Sequence, residues 1–177
     1  MPGPDTAPED LAGTNRSLSS ATEKEGVIPT LSDTTIRIGS ERQHAQFIRL
    51  WEASVRATHD FLTEEDLRFY QTFLPGALTE VDLFYLAAPD GKPTGFIGIA
   101  GDKIEMLFIH PSAQGKGLGT RLIDFDIHTK HARQVDVNEQ NRRAALFYYK
   151  RGFELSGRDA EDGCGKPYPI LHLQLKA

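Results

Sequence analysis

Apolar residues along the first half of the chain change their spacing several times. Thr35-Ile-Arg-Ile38 alternates as a short strand does. Phe47, Ile48, Trp51 and Val55 recur at the three- and four-residue intervals of one helical face. A second helix is expected over Glu64–Thr72, stopping before Pro75, because proline lacks the N–H that the helix needs and clashes with the turn before it. Val81–Ala88 reads as a strand, and the turn Pro89-Asp-Gly-Lys-Pro93 leads to another at Gly95–Ala100. Gly101-Asp102 then turns the chain into a strand over Lys103–Ile109. Short glycine and aspartate corners between such runs predict an antiparallel meander.

The second half alternates helix and strand. Leu118, Leu122, Ile123, Phe125 and Ile127 supply an apolar helical face; Gln134–Val137 reads as a strand and Asn141–Arg151 as a helix. Phe153–Arg158 and Ile170–Leu175 are closing strands. The expected fold class is α/β: one mixed, mostly antiparallel sheet with helices on both faces. Residues 1–33 are rich in Pro, Gly, Ser, Thr and Glu and bury too little apolar surface to offset ordering, so a disordered tail is expected there. The domain is expected over residues 34–177.

Composition narrows the function classes. A length of 177 residues suits one domain with a proper core. A formal charge of −5 argues against nucleic acid as the main partner, since phosphate backbones need a basic face. No apolar run reaches a membrane span, and the first residues lack a basic-then-apolar signal pattern. Cys164 is the one cysteine, so no internal disulfide is possible; a cytoplasmic protein is expected, monomer or homodimer. The histidines lack metal-like spacing, and no metal is expected.

The stretch Ile104–Ile123 carries the candidate chemistry. An apolar strand enters a turn containing Gly115, Gly117 and Gly119, and the turn opens into an amphipathic helix. Backbone N–H groups at a helix start form a ready phosphate site. A P-loop needs Ser or Thr after its lysine, yet Gly117 follows Lys116. A dinucleotide fingerprint needs Gly-x-Gly-x-x-Gly near the start of a βαβ unit, whereas Gly-x-Gly-x-Gly stands here past the midpoint of the chain.

Gln114-Gly115-Lys116-Gly117-Leu118-Gly119 instead resembles the Gln/Arg-x-x-Gly-x-Gly/Ala acetyl-CoA loop of the GNAT superfamily of N-acetyltransferases. Upstream, Leu107-Phe108-Ile109-His110-Pro111 looks like that family's central strand. Downstream, Asn141-x-x-Ala144-x-x-Phe147-Tyr148-x-x-x-Gly152-Phe153 is similar to its second motif. Ala57-Thr-His-Asp-Phe-Leu62, Phe73-Leu-Pro75, Val137-Asn-Glu-Gln-Asn141 and Gly165-Lys-Pro-Tyr-Pro169 together resemble the bacterial YjaB-type branch.

The resemblance implies a GNAT-like fold in which two central strands splay and pantetheine lies between them. It implies acetyl-CoA as co-substrate and a primary amine as acceptor, either protein lysine or a small molecule, in a direct ternary complex. Gln114–Thr120, thus Gln114, Gly115, Lys116, Gly117, Leu118, Gly119 and Thr120, are expected to hold the cofactor, with the main chain of Leu107, Phe108 and Ile109 lying along the pantetheine. Asn141 is expected to cap its helix and touch the cofactor. Among the nearby basic residues Lys116, Arg121, Arg142, Arg143, Lys150 and Arg151, Lys116 is the first choice for a CoA phosphate.

Tyr148 stands where the family places the acid that protonates the CoA sulfur; Tyr149, about 100° round the helix, points elsewhere. Glu105 and Asp136 are equal candidates for the base, and a water chain is a third. His59 and Tyr168 are expected on the acceptor side of the site. A rival reading is a non-catalytic acetyl-CoA sensor.

Overall fold

The computed structural model describes residues 27–28 and 35–176. Among these residues eight strands form one sheet in the order β1-β2-β3-β4-β5-β6-β8-β7. They are β1 (Val27–Ile28), β2 (Ile36–Ile38), β3 (Asp82–Ala87), β4 (Pro93–Ala100), β5 (Lys103–Ile109), β6 (Gln134–Asn138), β7 (Phe153–Asp159) and β8 (Ile170–Leu175). Helices α1 (His44–Thr58) and α2 (Glu64–Thr79) precede the meander β3–β5; α3 (Leu118–Phe125) follows it, and α4 (Arg142–Tyr149) lies between β6 and β7. The expected tail over 1–33 lies outside the described residues, except Val27–Ile28, which pair antiparallel with Ile36–Arg37.

Strand alternation divides the core in two. Phe84, Leu86 and Ile97 point to the cluster beneath α3 and α4, which also holds Leu122, Ile123, Tyr148 and Phe153. Leu83, Tyr85 and Phe96 point to the other face, where Phe47, Leu50, Trp51 and Val55 of α1 and Leu67, Leu74 and Leu78 of α2 cover them. The mixed α/β sheet with helices on both faces is thus the observed architecture.

Helix α2 departs from the sequence expectation. It does not stop before Pro75 but runs through it to Thr79. Proline inside a helix costs about 3 kcal/mol. Continuing the helix buries Leu74 and Leu78, at 6% and 1% exposure. Each buried leucine contributes about 1.5–3 kcal/mol, so the pair offsets the broken bond and tertiary burial overrides the local signal. The start of α2 is capped as its sequence suggests, with Thr63 Oγ1 accepting from the Asp66 N–H at 3.1 Å.

Every neighbouring pair of strands is antiparallel except β5 and β6, which run parallel and pair only at Lys103–Gln134 and Ile104–Val135. Beyond these two pairs the strands part. Glu105 has no partner in β4 either, since Gly98 faces Met106 and Ile99 faces Ile104. It is a bulge residue at the point where β5 leaves β6. The splay expected from the resemblance is therefore present, and it opens the site.

Candidate active site

A cavity of about 420 Å³ fills the gap between the parted strands. Ile104–Ile109 of β5 and Val135–Asn138 of β6 form two walls, the start of α3 and part of α4 a third, and Ser54, Thr58 and His59 at the end of α1 the fourth. From Leu107 to Ile109, β5 has a strand partner on its β4 side only. Its other edge, where only the Ile109 carbonyl accepts a side-chain hydrogen bond among the described residues, leaves main-chain N–H and C=O groups that an extended ligand can meet as an added strand. Leu107 and Ile109 pack their side chains toward α3 and α4, and Phe108 toward α1, so what this segment offers the cavity is its main chain.

The glycine turn aims a helix start at the same space. After β5 the chain makes a single 3-10 turn at Pro111–Ala113 and reaches Gly115 and Gly117 at φ of 75° and 77°. Both lie in the left-handed region that suits glycine. Gly117 is the N-cap of α3, and among the described residues no side chain caps that helix, so its first N–H groups can meet an anion. Gln114, Gly115, Gly117, Leu118, Gly119 and Thr120 line the cavity. Lys116 is exposed and stands outside that wall. Arg143 lines it and donates to Gln114 Oε1 at 3.2 Å, while Gln114 Nε2 donates to the Ile109 carbonyl at 3.3 Å. Arg151 instead turns to the Thr120 hydroxyl and to Asp124, 3.3 Å away.

Helix α4 brings two of the expected residues to the cavity. Asn141 caps it, accepting from the Ala144 N–H at 3.1 Å, and also lines the wall. Tyr148 is 5% exposed and wedged edge-on between Phe147 and Phe153, with ring centroids 5.2 and 5.5 Å away. Its hydroxyl has no hydrogen-bond partner among the described residues. Burial pushes the phenol pKa up, and the Asp126 carboxylate adds to the shift. Tyr148 therefore keeps its proton at neutral pH. Tyr149 is turned outward at 40% exposure.

The two candidate bases sit differently. Asp136 has both oxygens engaged: Oδ2 with Lys103 Nζ at 2.8 Å and Oδ1 with His172 Nδ1 at 2.7 Å. Burial alone would raise its pKa, but Lys103 and His172 hold the carboxyl below the ordinary range. His172 Nε2 also meets Asp159 at 3.0 Å, and the two aspartates raise the imidazole pKa. Among the described residues Glu105 has only Lys103 Nζ, at 3.6 Å. Its bulge position leaves its carboxylate beside the cavity with little else to bind.

His59 lines the cavity, and Tyr168 does not. The Tyr168 hydroxyl donates to Asp66, and Lys166 reaches the same carboxylate at 2.5 Å. Tyr70 donates to Asp162, whose Oδ1 accepts from the Cys164 and Lys166 N–H groups at 2.9 and 2.8 Å. Together these contacts fasten the β7–β8 loop to α2. Tyr168 thus braces the loop from behind, 6.0 Å from Phe61, which in turn lies 5.3 Å from His59.

Sequence reasoning missed four groups: Lys103, His172, Thr58 and Asp126. The pairing of β6 with β8 places His172 opposite Asp136, and no linear pattern announces that pairing. Asp126 did leave a sign. It follows Leu122 by four residues and Ile123 by three, on the apolar stripe, and it is fully buried with neither oxygen hydrogen-bonded among the described residues. Burial raises its pKa to about 7, with Lys130 opposing.

Residues 80–155 match the acetyltransferase (GNAT) domain family. The chain is 35% identical over 138 residues to the peptidyl-lysine N-acetyltransferase YjaB of Salmonella typhimurium, covering 78% of this chain and 95% of that one. The solution structure of apo YjaB from Escherichia coli superposes with a TM-score of 0.74 at 34% identity, covering 81% of this chain and 97% of that one. A paiA N-acetyltransferase from Thermoplasma acidophilum, solved with coenzyme A, shares the fold at 21% identity, with a TM-score of 0.61 over 81% and 99% of the two chains.

Proposed function

The chain belongs to the GNAT acetyltransferases, enzymes that take an acetyl group from acetyl-CoA, and from that premise we propose that it acetylates lysine side chains of proteins, with Tyr148 as acid and Glu105 as base. One observation carries the assignment of roles. The Tyr148 hydroxyl, without a partner among the described residues, belongs to a cavity whose other walls are the open edge of β5 and the uncapped start of α3. Those walls fit the two halves of an acyl-CoA, one extended amide chain and one pyrophosphate. Bound acetyl-CoA supplies the thioester.

The chain's own groups do the rest. The main chain of Leu107–Ile109 holds the extended arm and offers an N–H to the carbonyl that is attacked. The N–H groups at the start of α3 hold the pyrophosphate, with Arg143 beside them. Glu105 takes the surplus proton of the acceptor ammonium at its carboxylate, directly or through one water, because its only partner among the described residues is a lysine 3.6 Å away. A C–N bond forms as the C–S bond breaks, and Tyr148 gives its Oη proton to the leaving sulfur. The nitrogen sheds its second proton as the amide forms, and the tyrosinate, a stronger base than the thiolate it has protonated, takes up a proton again from solvent before the next cycle. Asp136, bound at both oxygens, serves to tie β5 to β6 through Lys103.

Lysine as acceptor rests on the relatives' activity and on charge. The formal charge of −5 suits a cationic partner. The test supplies the enzyme and acetyl-CoA with lysine-containing peptides and, separately, with free polyamines and aminoglycosides, following CoA release and acetyl-lysine by mass spectrometry. Acetylated peptide lysines are expected. Turnover confined to small amines would overturn the acceptor assignment.

A further inference from the structure

The corner between α1 and α2 carries a chain of three groups that ends at the cavity. Thr58 closes α1, and its Oγ1 lies 2.8 Å from the Ser54 carbonyl oxygen and 2.8 Å from His59 Nδ1. Two oxygens at that separation need a proton between them, and a carbonyl has none to give. The hydroxyl proton of Thr58 is therefore committed to Ser54. Toward His59 the hydroxyl can only accept, so Nδ1 must carry the imidazole hydrogen. A neutral imidazole has one N–H, which leaves Nε2 as a bare lone pair.

Three further facts bear on that lone pair. Burial keeps the ring neutral, pushing its pKa down to about 4 against the pull of Asp60. Nε2 has no hydrogen-bond partner among the described residues. Ser54, Thr58 and His59 all line the cavity that holds Tyr148 and Glu105. The opposite tautomer would present an N–H there instead. An N–H would bind the acceptor nitrogen by its lone pair, the very electrons that must attack the carbonyl carbon.

We propose that His59 seats the acceptor amine, with Nε2 accepting a hydrogen bond from the incoming N–H, and that Thr58 is the positioning residue that keeps this lone pair available. The proposal rests on the amine-acetylating reading above and adds to it a recognition rule: the acceptor must present an N–H to a neutral acceptor atom. No proton is stored on His59. An imidazole held near pKa 4 cannot retain one taken from an ammonium, so that transfer stays with Glu105.

Thr58→Val removes the hydroxyl and keeps the shape of the side chain, whereas Thr58→Ser keeps the hydroxyl. Nitrogen and carbon NMR shifts of the His59 ring in the full chain report its tautomer without any acceptor. Protonated Nδ1 is expected in the native protein and in Thr58→Ser, and a tautomer mixture in Thr58→Val. In steady-state kinetics Thr58→Val and His59→Leu should raise the KM of the acceptor about tenfold, as loss of one hydrogen bond of about 1.4 kcal/mol does, with acetyl-CoA affinity unchanged. Thr58→Ser should restore it. A resting Nε2–H tautomer, or an acceptor KM unmoved in both Thr58→Val and His59→Leu, overturns the proposal. The kinetic arm uses whichever amine the native enzyme turns over, so failure of the lysine assignment leaves this test intact.

Discussion

The two sides of the cavity are built by different means. The cofactor side comes almost entirely from one run of chain, from Ile104 on β5 to Tyr148 on α4, and most of what it offers is backbone: an open strand edge and an uncapped helix start. The acceptor side is assembled from side chains far apart in sequence. Asp66 of α2 meets Lys166 and Tyr168, and Tyr70 meets Asp162, across separations of 92 to 102 residues. Chemistry carried by the backbone must be written as local spacing, because glycines and strand lengths set it. Chemistry carried by distant side chains exists only once the sheet has formed.

That contrast sets the scale of several expected effects. The largest falls on the side chain that acts alone: Glu105→Gln should lower kcat/KM by roughly 10²–10⁴-fold near neutral pH, the usual contribution of a positioned base. An equal loss in Asp136→Asn, with Glu105→Gln near native, would move the base to β6 and dissolve the distinction between a free and an occupied carboxylate. Next comes the carboxyl group sealed beneath the cofactor side. Asp126 has a folded-state pKa of about 7 against an ordinary carboxyl near 4, so the folded chain holds a proton that the unfolded chain releases. Stability is full below pH 4 as far as this group is concerned, and falls as pH rises through 7, by roughly 2–4 kcal/mol. Urea titrations at pH 5 and pH 8 should show that fall in the native protein and lose most of it in Asp126→Asn.

Smaller effects sharpen the backbone half. Gly117→Val forces a β-branched residue into a left-handed conformation while meeting no neighbour within 4 Å. Strain of about 1–2 kcal/mol should weaken acetyl-CoA binding about tenfold by calorimetry, with the fold intact. Smallest of all, Asp136→Asn should change kcat less than threefold, since its oxygens already serve Lys103 and His172.

The legible parts of the molecule follow the same division. The meander, the glycine turn, the cap at Asn141 and the inward Tyr148 beside an outward Tyr149 all stand in the sequence, because each depends on spacing within about a dozen residues. Helix α2 runs through Pro75 against the local signal because Leu74 and Leu78 hold its last turns against the sheet, a gain no local rule records. Glu105 and Asp136 could not be ranked from sequence. What separates them is a bulge opposite Gly98–Ile99 and the arrival of His172 from β8. Tyr168 stands in a motif with the right residues, yet it braces a loop behind the wall instead of lining it.

The central claim is that backbone holds the cofactor while a single buried phenol completes the transfer. Tyr148→Phe tests it most directly, with acetyl-CoA affinity by calorimetry and turnover by CoA release measured on the same preparation. The account predicts unchanged affinity and a turnover reduced by roughly 10²–10³-fold, the scale of a lost general acid. Turnover equal to that of the native enzyme would contradict it.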